Sequence, residues 1–255
     1  MSQQEFINMQ HDPIIEAKQV SFYFDGRPIF QDLNFQLNRG EAYLLLGPSG
    51  SGKSLLLKIL SGLFLVAQGS VKIAGIDLAK AAPQVLQELR VKMGFVFQDA
   101  ALISNMCLYD NIALPLRYHT SISESEIKIK IAEQMAQLQI DRQGDFLLPA
   151  QLSMEMRKRA ALARALILEP ELLFLDEPTM GMGEEASLHI WQFLQAYRQK
   201  KKISVILVQT DWRSALPFAD RIGFLKGGKI VCAGPKEQVK DRLAQISRPE
   251  NSFFN

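Results

Sequence analysis

The chain has 255 residues, of which 47% are hydrophobic and 22% charged, with a formal net charge of +2 at pH 7. That length suits one large α/β domain or a domain carrying an inserted subdomain, and so small a charge demands neither nucleic acid nor an anionic membrane as partner. Two cysteines, Cys107 and Cys232, cannot build a disulfide framework and lack metal-ligand spacing, as expected of a reducing compartment.

Residues 1–13 are polar, with no basic start followed by an apolar core, and read as a flexible tail rather than a secretory signal. From Pro13 to Leu37 apolar and polar residues alternate ("IIEAKQVSFYF", then "PIFQDLNFQL"), the period-two pattern of half-buried antiparallel strands. "AYLLLG" at 42–47 is a continuous apolar strand of the kind covered on both faces, and it runs through a glycine-rich turn into a helix from about Ser54. The most apolar stretch, "LLLKILSGLFLVA" at 55–67, is broken by Lys58 and Gly62. It falls short of the roughly 20 residues of a bilayer span, so membrane contact must come through another chain.

"GSVKIAGIDL" reads as a hairpin turning at Gly75, and "MGFVFQ" as another buried strand. Residues 99–165 read mostly as helices and loops, an inserted helical subdomain. "LLFLDEP" and "ISVILVQTD" are buried strands flanking a helix from about Glu185 to Lys200, whose basic end, "RQKKK", reads as solvated. "RIGFLKGGKIVCAG" supplies two strands across a Gly-Gly turn, "GPKEQVKDRL" a final helix, and 246–255 a C-terminal tail. The expected architecture is α/β over residues 14–245: a mostly parallel central sheet, an N-terminal antiparallel β subdomain and the inserted helices.

Chemistry concentrates at two strand ends. "GPSGSGKS" (Gly47, Pro48, Ser49, Gly50, Ser51, Gly52, Lys53, Ser54) sits between a buried strand and a helix, the context of a phosphate-binding loop. Its glycines let backbone N–H groups turn inward on a β-phosphate while the helix N-terminus adds partial positive charge. Lys53 bridges β- and γ-phosphates in this reading, and the Ser54 hydroxyl ligates Mg²⁺. Asp176 and Glu177 stand at the C-terminal end of the "LLFLDEP" strand, where parallel sheets bind ligands. They divide the work: Asp176 holds Mg²⁺ through a water, and Glu177 orients and deprotonates the water attacking the γ-phosphate. An acid pair at a strand end can also be a helix cap; joined to the loop it becomes specific.

In their order, "GPSGSGKS", Gln98 in "FVFQD", Ser153 in "QLSMEMRKRAALARAL", "LLFLDEPT" and the strand ending "VQTD" resemble the ATP-binding subunit of ABC transporters, over about residues 14–240. The resemblance implies a P-loop NTPase core of ABC type that binds ATP with Mg²⁺. It adds Leu55 to the nucleotide-binding set, makes Gln98 a sensor of Mg²⁺ and the attacking water, and has Ser153 act across a dimer. It implies an aromatic ring stacked on adenine at Phe24, with Tyr23 or plain core packing as alternatives. The text after Gln98, "QDAALISNMCLYDNIALPLRYHT", looks most like the branch energising Mla/Mce-type phospholipid transport in Gram-negative envelopes. Its partners would be a membrane permease, a second ATPase subunit and a substrate-binding Mce-type subunit, with the chain peripheral on the cytoplasmic face of the inner membrane. The alternative is a soluble ABC-type regulatory or nucleic-acid ATPase without a permease. Neither the long coiled-coil insertion nor the fused second cassette of such relatives occurs here.

Three motifs depart from the family. Its Leu-Ser-Gly-Gly-Gln signature, which grips the γ-phosphate held by the opposite subunit, is Leu152-Ser153-Met154-Glu155-Met156. Side chains therefore stand where backbone approaches phosphate, and at an assumed 5 Å and dielectric of 20 the Glu155 charge repels one phosphate charge by roughly 3 kcal/mol. Ser153 is also a good N-cap, and Glu155 complements the helix dipole. Gly183 replaces an aspartate that links the two sites, and Thr210 replaces a switch histidine; none of His11, His119 or His189 substitutes for it by position. Three models follow: a heterodimer with an ordinary signature on the partner, a homodimer of slow sites, or an ATP-bound clamp. Retention of Lys53, Ser54, Gln98, Asp176 and Glu177 ranks slow hydrolysis above none.

Overall fold

The computed structural model describes residues 13–210 and 212–239. The tail through residue 12, with His11, and the C-terminal segment from 240 lie outside the described residues. Strand β1 (Pro13–Phe24) opens on the last residue expected of the tail and pairs antiparallel with β2 (Arg27–Asn38). β4 (Gln68–Ile73) lies on its other side, followed by β5 (Ile76–Asp77), giving the order β2-β1-β4-β5.

The second sheet has the order β10-β9-β3-β8-β7-β6. β3 (Ala42–Leu46), β6 (Met93–Val96), β7 (Leu172–Asp176), β8 (Ser204–Val208) and β9 (Arg221–Lys226) run parallel, and β10 (Lys229–Pro235) is the antiparallel edge. β3, β7 and β8 are buried at every residue, which explains their uninterrupted apolar text. Alternate residues face two cores. Leu44, Leu175 and Leu207 join the core under the helices of 108–166, while Tyr43, Phe174 and Ile206 join the one shared with α1 (Lys53–Leu60) and the antiparallel sheet.

One helix escapes the sequence pattern: α2 (Pro83–Val91) buries only Leu89, so its apolar stripe is faint. The helical subdomain comprises α3 (Leu108–His119), α4 (Glu124–Gln137) and α5 (Met154–Leu166). Ser123 opens α4 with a capping box to Glu126, and Ser153 opens α5 by accepting the Met156 N–H at 3.2 Å. The loop between Gln98 and α3 is pinned from this subdomain. The buried Asn111 side chain donates to the carbonyls of Ile103, Met106 and Cys107 and accepts from Ile103 N–H at 2.7 Å, and Arg164 donates to Ala100 O at 3.1 Å.

α6 (Glu184–Lys201) begins on two glutamates and ends on Arg198, Lys200 and Lys201, each charge matched to the helix dipole. α7 (Trp212–Ala215) follows β8. Of the expected final helix, residues 236–239 are helical and the rest lies outside the described residues. Among the described residues no helix is long and apolar enough to cross a membrane.

Candidate functional site

The loop after β3 is shaped by two glycines in particular. Gly47 has φ 155°, and a Cβ there would lie 2.2 Å from Leu225 O, so no larger residue fits between β3 and β9. Gly52 is the left-handed N-cap of α1, and no side chain caps that helix, which leaves its first-turn N–H groups for an anion. Lys53 Nζ donates to Gly47 O and Pro48 O, each at 2.9 Å, and forms no ion pair among the described residues. Burial lowers its pKa, against the nearby carboxylates of Glu177 and Asp176. The Ser51 hydroxyl is buried without a partner. An ammonium satisfied by carbonyls, an uncapped helix end and an orphaned hydroxyl together fit a polyphosphate; Pro48, Ser49 and Gly50 are exposed on the loop, and Leu55 lies in the first turn of α1.

Ser54 Oγ donates to Asp176 Oδ1 at 2.9 Å, joining the loop to the end of β7. Asp176 is only 2% exposed, and burial pushes its carboxyl above the ordinary value, opposed chiefly by that Ser54 bond. Such a carboxylate gains from a cation. Among the described residues no cluster of three or more His, Cys, Asp or Glu forms; Ser54 and Asp176 would hold a cation whose remaining ligands phosphate and water oxygens would supply, as Mg²⁺ accepts. Hydroxyl and carboxylate oxygen are the hard donors Mg²⁺ takes, so the residues present fit it.

Glu177 follows in the left-handed region, φ 50°, a strain worth about 1–3 kcal/mol that its surroundings must hold. Five hydrogen bonds do so. Its N–H donates to Val208 O at 2.9 Å; its carbonyl accepts from Lys158 Nζ at 2.6 Å and from Met180 N–H at 3.2 Å; Thr210 donates to its carboxylate through the backbone N–H at 3.0 Å and through Oγ1. Parallel register explains the Thr210 contact. Asp176 faces Val208, so the residue after one strand meets the loop after the other. Thr210, at the place of the family's switch histidine, thus has its hydroxyl engaged by Glu177.

A cleft of about 520 Å³ opens over this corner, lined by Ser54, Gln98, Asp99, Asp176, Met180 and, from α5, Met154, among others. The structure therefore brings Gln98 to the Ser54–Asp176 pair, with its Nε2 3.5 Å from Met180 Sδ. Phe24 ends β1, 63% exposed, and Tyr23 is 42% exposed, so neither ring is packed in the core. Ser153 is an exposed N-cap whose side chain accepts from Met156 N–H, and the next residue, Met154, shares the cleft with Ser54.

Glu155 is not a bare charge. Its Oε1 accepts from Arg159 Nε at 3.0 Å and lies 2.9 Å from Nη2, and Arg159 is itself buried, donating to Leu138 O. The repulsion of roughly 3 kcal/mol expected from an isolated Glu155 is therefore an overestimate, since a buried guanidinium neutralises it. Gly183 caps α6, and a Cβ there would meet nothing within 4 Å; packing does not explain its departure from aspartate. His119 packs edge-on to Tyr118 and His189 lies in α6 under Arg159's influence; neither lines the cleft. Lys158 belongs to this site although its sequence context did not mark it. Its one signal was a charge on the buried stripe of α5, in line with Ala161 and Leu162.

A family model described as ABC transporter matches residues 30–180, more than half of the chain. The probable ribonucleotide transport ATP-binding protein mkl of Mycobacterium leprae is 37% identical over 224 residues, 88% of this chain and 64% of its own length. The chain thus spans just under two thirds of that relative. The intermembrane phospholipid transport system ATP-binding protein MlaF of Haemophilus influenzae is 32% identical over 226 residues, 89% of this chain and 85% of its own. Among solved structures, the ATP-binding cassette MJ0796, a dimer in a post-hydrolysis state bound to ADP and Pi, matches with a TM-score of 0.81 at 28% identity, covering 87% of this chain and 98% of that one. With its phosphate loop, its paired acids and these matches, the chain belongs to the ABC transporter family.

Proposed function

We propose that the chain binds Mg·ATP on the Gly47–Ser54 loop, dimerises around it with a second ATPase subunit and hydrolyses it to drive a membrane permease that moves phospholipid. The observation that carries this reading is the Ser54–Asp176 hydrogen bond beside a Glu177 carboxylate fixed by Thr210. Lys53 and the loop N–H groups bind the phosphates, and Phe24 stacks on the base. Ser54, Asp176 and Gln98 hold Mg²⁺, which when bound polarises the phosphoryl oxygens. Glu177 orients the attacking water and takes its proton. Ser153 of the opposing subunit completes the site. Turnover is slow, because Met154 and Glu155 occupy the glycine positions of the signature and Thr210 carries no positive charge.

The energy link is mechanical: closing on ATP rocks the helical subdomain against the permease at the cytoplasmic face of the inner membrane. MlaF, matched over most of its length, supports phospholipid as cargo, and the name of mkl supplies the competing cargo to test. The protein purified from membranes with its attached chains and reconstituted in vesicles is expected to move fluorescent phospholipid only with Mg·ATP. Transfer that ignores ATP, or uptake of labelled ribonucleotide in its place, removes the lipid assignment.

A further inference from the structure

Lys158 is 2% exposed and among the largest fully buried side chains of the molecule. An ammonium in such a place is unfavourable unless it has a dedicated acceptor. Its hydrogen-bond acceptor is Glu177 O, at 2.6 Å. Burial lowers the lysine's pKa, while the carboxylates of Asp176, Glu177 and Asp99 favour its charged form. A methionine of similar length would fill the same space on the apolar stripe of α5, so packing alone does not ask for an amine there.

The acceptor is a particular carbonyl. Glu177 holds φ 50°, and a residue in that region keeps its peptide planes only while both are anchored. The N–H side is anchored on β8 through Val208; the carbonyl side is held within its own turn by Met180 N–H at 3.2 Å and, across the fold, on α5 by the shorter bond from Lys158. Releasing the Lys158 bond leaves that carbonyl with only the local turn contact from Met180 and no tie to α5, so the backbone can relax and re-aim the carboxylate, and displacement of a reacting group by about 1 Å can cost on the order of 100-fold in rate. The bond also crosses between units of the fold. Lys158 lies five residues after Ser153, on the helix whose start faces the neighbouring subunit's nucleotide in the proposed dimer.

We propose that Lys158 is a positioning residue for Glu177, tying helix α5 to the aim of that carboxylate through the Glu177 main-chain carbonyl. The proposal rests on Glu177 acting as the base. It is tested in the purified full chain, with its membrane partners, by steady-state ATP hydrolysis of Lys158→Met, Lys158→Arg and Glu177→Gln, alongside thermal unfolding with and without ATP. Lys158→Met is expected to lower kcat about tenfold or more while leaving KM for ATP within about threefold and keeping the ATP-induced rise in Tm, and Lys158→Arg to recover most of kcat. Unchanged kcat in Lys158→Met, loss of kcat and ATP affinity together, or an arginine variant as slow as the methionine one each overturns it. Should Lys158→Met not fold, Lys158→Gln, a shorter donor, replaces it: lowered kcat at preserved KM supports the positioning role, and unchanged kcat or a joint loss of kcat and ATP affinity overturns it. If Glu177→Gln abolishes turnover and Lys158→Met does not, only the positioning role fails; if Glu177→Gln turns over normally, the role of Glu177 as base fails first.

Discussion

Thr210 shows how a single substitution changes what a position does. A histidine brings a charge that reaches toward phosphate; threonine brings one hydroxyl, and here it and the adjoining N–H both point at Glu177. Hydrogen bonds to charged groups contribute about 1.5–3 kcal/mol, so removing the hydroxyl one should loosen the carboxylate without freeing it. Thr210→Val is expected to lower kcat about tenfold at unchanged KM, and Thr210→Ser to keep it, by phosphate-release kinetics. A valine variant with full kcat would mean that the backbone N–H suffices. That Thr210 stands beside the carboxylates follows from its place after a buried strand, whereas its bond to Glu177 depends on β7–β8 register, which no run of apolar letters specifies. Lys158 escaped for a similar reason. Its neighbours Arg157 and Arg159 made it one of three adjacent basic residues in a solvated-looking turn, and only the packing of α5 separates the buried ones.

At the scale of elements, the helical subdomain is held by a few polar latches as well as its apolar core. Arg117 near the end of α3 donates to Asp110 at 2.8 Å and to both oxygens of Glu124 on α4, at 2.7 and 2.9 Å. Those bonds from Arg117 hold both carboxyls below their ordinary values. Because they bind protons less tightly folded than unfolded, the latch adds stability above the ordinary carboxylate range and loses it as pH falls from about 4.5 downward. Arg117→Met is expected to lower Tm at pH 7, with the gap to wild type shrinking toward pH 3 in thermal denaturation; a gap independent of pH would assign the loss to packing over the Tyr109 ring. The strands were legible because burial on both faces writes itself as continuous Leu, Ile and Val. α2 was not, since a helix that buries one leucine leaves almost no period to read. The start of α5 was legible in its cap at Ser153, but the ion pair that tames Glu155 depends on helical i,i+4 geometry and on Arg159 being buried beside it.

Across the whole molecule, two sheets and a helical layer converge on one corner. The loop after β3, the acids after β7 and the residues after β8 meet because these strands are neighbours in a parallel sheet, all ending on the same side. Gln98, after β6, reaches the same cleft, and its loop is pinned to α3 and α5 by Asn111 and Arg164. In the proposed mechanism those bonds would carry a rocking of the helices to the loop of Gln98, and Lys158 would carry it to Glu177. The mechanism depends above all on Glu177 as the group that activates water. The most direct measurement is release of labelled phosphate from ATP by the purified complex, wild type against Glu177→Gln, with nucleotide binding followed in the same samples. A catalytic Glu177 requires Mg²⁺-dependent turnover in the wild type, a loss of about 100-fold or more in the variant and ATP binding intact. Equal turnover in the two proteins would contradict it.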